Sequence, residues 1–542
     1  MHLGESIFLP NPVTNLGIDL VLYFSYIETN KGTSFMRFAD IAVICAYFLL
    51  LPLVAIIASR RGKTPGDFLS ASHDLPWWAI CLSLVATETS TLTFISIPGI
   101  GYTSGIVFLG LAGGYLIGRL IVAIWFLPLY AKGQIRSAYQ YLGERFGPGL
   151  QCAASGAFLV TRLLAEAVRL SVGLLPLTWM LEHNGISANH LAVLGLIMTF
   201  TLAYTVAGGL RAVVWSDTIQ LCIYLFGAAA CAFLLMHGLP SEGWKLAWAA
   251  GKMFPFHALH VQTLLSDPFT PLAALVGGSI LSVASHGSDQ LMVQRLLAAR
   301  TLRDARYALV GSAFVVALLF GLLSLIGVQL WVTHAGVSLA TMGLHSPDEL
   351  FPSYIVSGLP AGLGGLLLAG VLSATMGSLS STLNAMAGAS LTDFGPIPER
   401  FLKWWGHICG FRESPLFAPR LMTVLWSIAL VLAALWFTQG EQSAVILGLT
   451  IAGWSYGPTL GAFLFGMLYP AARARDALTG FLVSLTVMAA IMKFLQYAGY
   501  HVAFPWLVPL GIAGMLITAR FSMLLTGASR EGVQSAHDTR KD

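Results

Sequence analysis

Two stretches of this 542-residue chain hold more oxygen than their apolar surroundings call for. In "LVATETSTLTFISIPGIG" (84–101), Glu88 is flanked by Thr87, Thr89, Ser90, Thr91 and Thr93 and followed by Pro98-Gly99. In "VLSATMGSLSSTLNAM" (371–386), Ser373, Ser378, Ser380 and Ser381 sit inside a run from Leu359 to Leu391 that has no charged side chain. Hydroxyls, a carboxylate and freed main-chain carbonyls are the donors that hard cations require. Serines and small residues also let apolar helices pack closely and bond back to their own carbonyls, so the second stretch alone leaves packing and ion binding both open. A third stretch places Arg162, Glu166 and Arg169 at i, i+4 and i+7, one face of a helix. It favours an internal ion pair of Glu166 with one or both arginines, the other reading being a surplus positive charge at Arg169 that meets a substrate carboxylate through a bidentate fork. No HExxH, GxSxG or paired intramembrane histidine accompanies these groups, so an enzyme is the remote alternative.

The elements that position these groups follow from composition. Hydrophobic residues make up 56% of the chain and charged ones 10%, against about a quarter charged in soluble domains. Thirteen apolar segments between residues 38 and 523 are long enough to cross a hydrocarbon core about 30 Å thick, and in lipid such segments must be helices. The prediction is an all-α polytopic membrane protein of about 13 transmembrane helices. A carboxylate at mid-membrane costs roughly 2.5 kcal/mol or more unless it faces protein, water or a cation, so Glu88 points inward, on a helix expected to be broken. Most of the 29 Lys and Arg fall in alternate connections such as "SRRGKTPGDFLSASHD" and "QRLLAARTLRDAR". By the positive-inside rule these are cytoplasmic, which puts the N-terminus outside and the C-terminus inside and agrees with an odd number of spans. The expected organisation is an outer segment 1–37, a single transmembrane domain 38–523 and a cytoplasmic tail 524–542, with no cleavable signal, a weak interfacial apolar run at 18–27 and no structural disulfide among six cysteines. The net charge of +4 reports this asymmetry and calls for no nucleic acid.

The stretches "GGLRAVVWSDTIQ" (208–220), "HGSDQLMVQRLLAA" (286–299) and "LPAGLGGLLLAGVLSATMGSLSSTLNAM" (359–386), with "DFLSASHDLPWW" and "YLGERFG", closely resemble the sodium:solute symporter family. That resemblance implies a ten-helix core of two five-helix inverted repeats, here about 76–236 and 266–468, with broken helices. It implies sodium-coupled symport of a small organic solute by alternating access, with a proton-coupled or sodium-independent transporter of the same fold as the alternative.

Carried onto this sequence, the family's sodium site falls on the carbonyls of Ala86 and Thr89 and on Ala374 and Ser378. Gly377 stands where the family usually has Ser, so one ligand oxygen is missing from the stripe Ala374, Gly377, Ser378, Ser381. A second sodium, bound by some members, falls on Asp217, Ser380 and Ser381. The solute position implies Thr87, Glu88, Ser90, Ser285 and His286, to which the residue pattern adds Arg169; a stacking site of the glucose type is absent at "SVASHG". His286 alone reads better as a packed histidine than as a proton carrier. Arg119 and Lys493 show no partner in the sequence. The expected associates are a sodium ion, a small solute and the lipid bilayer of a plasma (inner) membrane, with no obligate protein partner.

Overall fold

The computed structural model describes residues 38–59, 75–131, 137–174, 177–178, 181, 189–240, 242–360, 362–394, 416–436, 444–500 and 502–525. Among these the only β feature is an isolated bridge between Leu75 and Ala299. The outer segment, the interfacial run at 18–27, Cys409 and nearly all of the tail lie outside the described residues.

The chain runs through α1 (Phe38–Ser59), α2 (Trp77–Glu88), α3 (Thr91–Ser104), α4 (Phe108–Ala131, with a π turn at Val122–Phe126), α5 (Ala138–Phe146) and α6 (Pro148–Gly173). It continues as α7 (His190–Val206), α8 (Gly209–Gly238), α9 (Gly243–Ala249), α10 (Ala273–Gly287), α11 (Gln290–Leu297) and α12 (Leu302–Thr333). The remainder is α13 (Pro347–Ser357), α14 (Leu363–Asp393), α15 (Phe417–Trp436), α16 (Ala444–Leu468), α17 (Ala474–Tyr497) and α18 (Phe504–Leu525). Among the described residues, seven helices are long and apolar enough to span a membrane, and the bent pair α2 and α3 makes an eighth span. The other expected spans are helical in their described residues, among them the continuous 22-residue α1, while α10 is shorter.

Two helical stretches are broken. The first break lies at Thr89 and Ser90, where the chain leaves helical torsions and α3 departs from α2 at 63°. It falls inside the hydroxyl run, whose side chains compete for the backbone and favour helix ends. Pro98, by contrast, lies within an uninterrupted α3. The glycines beside it serve close approach: a Cβ on Gly101 would stand 2.5 Å from the Ser324 carbonyl of α12. The second break lies at Ser288 and Asp289, where the Asp289 carboxylate accepts from the Leu291 N–H (2.9 Å) and caps α11. Gly209, at φ 58°, divides α7 from α8.

At the centre is α14, buried along nearly all its length against α8, α6, α15 and α1. Its Gly, Ala and Ser stripes are what allow such close packing without a hydrophobic drive. Asp40 of α1 accepts from the N–H groups of Gly362 (2.8 Å) and Gly365 (2.7 Å), placing a carboxylate at the positive end of α14. At the other end Asp393 accepts from Ser137 (3.1 Å), Gln151 (3.0 Å) and Ser155 (2.9 Å). Trp125, Phe226, Phe314, Leu432 and Phe521 point outward as exposed apolar side chains, the surface a bilayer solvates. The five described cysteines are free.

Candidate functional site

At the first break, Ala86 and Thr89 are buried, and the Thr89 hydroxyl donates to the Val85 carbonyl while accepting from Tyr224 of α8. Across from them Ala374 and Ser378 are buried on α14, with the Ser378 hydroxyl turned back to the Thr375 carbonyl (3.0 Å). The two helices are joined at this level by Thr91 and Thr375, whose hydroxyls lie 2.7 Å apart. The four residues of the first ion site thus stand at a break whose far side, α3, is tied to α14 by a hydroxyl pair.

The second ion set is differently arranged. Asp217 Oδ2 accepts from Ser83 (2.7 Å), Ser381 (3.3 Å) and Arg295 Nη2 (3.4 Å). Arg295 also donates to Ser381, to Ser83 through Nε (3.0 Å) and to the Leu291 carbonyl (2.7 Å). Ser380 donates to the Gly377 carbonyl (3.0 Å) and stays off the carboxylate. A guanidinium therefore lies against the Asp217 and Ser381 oxygens expected to hold a second sodium, tying α2, α8, α11 and α14 together.

Among the solute residues, Thr87 donates to the Ser83 carbonyl (2.8 Å) and Ser90 is buried at the start of α3. Glu88 is ion-paired with Arg119 and 14% exposed. Arg119 in turn donates to Ser312 (2.5 Å), so the cation that showed no partner in the sequence holds the carboxylate that needed one. His286 is buried; its Nδ1 lies 2.7 Å from the Ser285 hydroxyl, and its unpartnered Nε2 lies 3.9 Å from Glu88 Oε2. Lys493 is exposed on α17.

The internal ion pair expected on α6 is present, and the surplus charge is not. Arg162 pairs with Asp289 at the second break (2.8 Å) and donates to the Tyr456 hydroxyl (2.6 Å), while Glu166 pairs with Arg169 (3.0 Å) and accepts from Thr382 (3.2 Å). Four charges balance, and Arg169 is no surplus cation. It nonetheless keeps a 17% exposed side chain and an unpartnered Nε. Asp289, Arg295 and Gln220 were not singled out in the sequence, although all three lie in the quoted motifs. The one available signal was that a charge on an apolar helix needs a partner.

Comparison with known proteins agrees with this architecture. A model of the sodium:solute symporter family matches residues 68–484. The sodium/sialic acid symporter of Proteus mirabilis is 28% identical over 468 residues, 84% of this chain and 89% of that protein. The human sodium/iodide cotransporter is 27% identical over 467 residues, 84% of this chain and 69% of that protein. A solved structure described as the substrate-bound outward-open state of a Na+-coupled sialic acid symporter superimposes with a TM-score of 0.75 at 24% identity, covering 91% of this chain and 98% of that one.

Proposed function

The chain belongs to the sodium:solute symporter family, a sodium-coupled solute symporter, and we propose that its solute is a small carboxylate-bearing molecule bound beside a sodium at the break of α2 and α3. The sodium is held by the carbonyls of Ala86 and Thr89 together with the Ala374 carbonyl and the Ser378 hydroxyl. The observation that carries this is the 63° break itself, which frees carbonyls in an apolar interior opposite a buried hydroxyl-bearing stripe. Freed backbone groups at membrane depth are tolerated where protein, water or an ion satisfies them.

The solute lies between the two broken helices, near Thr87, Ser90, Glu88, Ser285 and His286, with Arg169 reaching it from α6. The unpartnered Nε and partial exposure of Arg169 leave donors for a carboxylate fork, even with Glu166 holding Nη1. Two of the compared proteins are named for sialic acid, itself an acid. The Lys and Arg asymmetry supports a plasma-membrane protein with its N-terminus outside and its C-terminus cytoplasmic.

The test is a thermal-shift screen of carboxylates, amino acids and sugars with and without sodium, followed by uptake into vesicles under imposed sodium or proton gradients. Arg169→Gln should weaken uptake of the identified acid by about tenfold or more, since a hydrogen bond to a charged group contributes about 1.5–3 kcal/mol. Its stabilisation by sodium alone should persist. Transport of an uncharged solute, or wild-type uptake by the variant, overturns the carboxylate role; uptake driven by protons and indifferent to sodium overturns the ion site.

A further inference from the structure

Two arginines far apart in the sequence meet at the corner where α16 turns into α17. Arg145, the next-to-last residue of α5, donates through Nη2 to the carbonyls of Tyr469 (3.1 Å) and Pro470 (2.6 Å). The guanidinium of Arg520 on α18 lies over the Tyr469 ring, 4.9 Å from its centroid. Arg473 and Arg475 follow the corner and are exposed, and Ser522 donates to Asp476 (2.7 Å), which ties α18 to the first turn of α17. Asp476 is itself buried, and Glu144 beside Arg145 is the other acid. Among the described residues, none of Arg145, Arg475 and Arg520 is paired with a carboxylate. A guanidinium carries five N–H donors; Arg145 engages the corner through Nη2 and Arg520 engages Met523 Sδ (3.4 Å) through Nη1, so both keep donors.

The surface around Arg520 is apolar and turned outward. Ile517 and Leu524, at i−3 and i+4 on the same face of α18, are 68% and 55% exposed, and Leu468 at the end of α16 is 61% exposed. An arginine in such a stripe carries its charge to the membrane surface along its own apolar stem, where the counter-anion at hand is a lipid headgroup.

We propose that this corner binds the phosphate of an anionic phospholipid, with Arg145 and Arg520 as its two guanidinium arms and Arg475 adding positive charge. The acyl chains lie along Ile517, Leu524 and Leu468. Guanidinium matches phosphate oxygens in a bidentate fork, and basic pockets between transmembrane helices hold such headgroups. A zwitterionic lipid offers the same phosphate but sets its own ammonium against the arginines. The bound lipid joins α18 and the α16–α17 corner to α5, whose capping Ser137 bonds Asp393 at the end of α14. It thereby bears on the central helix from the periphery, at a place separate from the ion and solute residues at the breaks.

The purified full-length protein, stripped of lipid in detergent, is titrated with dioleoylphosphatidylglycerol, dioleoylphosphatidylcholine or inorganic phosphate while its melting temperature is followed. Phosphatidylglycerol should stabilise the wild type well beyond phosphatidylcholine. Arg520→Gln should raise the half-saturating phosphatidylglycerol concentration about fivefold, the worth of one basic residue near an anionic surface, and Arg520→Lys should recover part of that. Arg303→Gln on α12, whose guanidinium lies over Tyr307 instead, should leave it unchanged. Equal stabilisation by the two lipids, or a wild-type response in Arg520→Gln, overturns the proposal. So does an equal loss in Arg303→Gln, which would reduce the effect to overall surface charge. Stabilisation by inorganic phosphate that matches phosphatidylglycerol overturns the lipid assignment in favour of a free anion. Arg145→Gln removes a donor from two main-chain carbonyls; if it fails to fold, the Arg520 variants decide the matter alone.

Discussion

Ser378 shows how a hydroxyl can be ready for an ion and structurally satisfied at once. It donates to the Thr375 carbonyl one turn back, which leaves its lone pairs to face across the helix. Ser378→Ala should therefore fold with less than about 0.5–1.5 kcal/mol lost, the net worth of one hydrogen bond, yet respond to sodium only at much higher concentration. Equal sodium dependence with an unchanged melting point would reduce Ser378 to packing. The sequence made this residue legible because a hydroxyl cluster on an uncharged helix is anomalous by itself. It could not reveal what a residue faces across the chain. Arg119 and Glu88 are 31 positions apart, and Gly377, visible only as an absent oxygen, acquires meaning from Gln220 and Asp217 on another helix.

At the scale of elements, breaks and caps share residues. Asp289 caps α11 and neutralises Arg162 of α6, so the geometry of the second break and the charge balance of a neighbouring helix depend on one carboxylate. Asp289→Asn separates the two duties, because Asn caps about as well as Asp but carries no charge. It should cost about 3–5 kcal/mol, the usual consequence of stranding one member of a buried pair, and Arg162→Met in the same chain should restore much of it. A single variant as stable as the wild type would show that Arg162 is neutralised elsewhere. Apolar length was enough to place the helices in the sequence, and the broken first helix followed from its hydroxyls. The break itself lies at Thr89 and Ser90, ahead of the Pro98-Gly99 pair, where Gly327 of α12 packs against Pro98 and Pro347 of α13 against Gly99 while α3 stays continuous. Asp289 lies 127 residues beyond Arg162, a separation no periodicity within a helix can report.

For the whole molecule, ion number and solute charge determine what the membrane potential can do. One sodium with a monoanion moves no net charge, so only the sodium ratio drives uptake, about 1.4 kcal/mol per tenfold. Two sodiums with a monoanion carry one positive charge inward and add about 2.3 kcal/mol per 100 mV. With two ions per anion, clamping vesicles 100 mV more negative inside should raise the accumulation limit of an anionic solute roughly 50-fold. Potential-independent accumulation would limit the protein to one ion per anion.

Tyr47 belongs to α1, the first described helix, yet its hydroxyl receives the Gln220 amide and α1 also supplies the carboxylate that caps α14. The helix that borders lipid therefore holds a buried side chain of α8, which makes bilayer thickness an input to how α8 sits against the ion-bearing α14. A TM helix answers hydrophobic mismatch by tilting, and a tilt of α1 would move Gln220 and α8 against α14. Reconstitution in short- and long-chain lipid should shift sodium half-saturation in the wild type and much less in Tyr47→Phe; identical shifts in both would mean that lipid acts by another route.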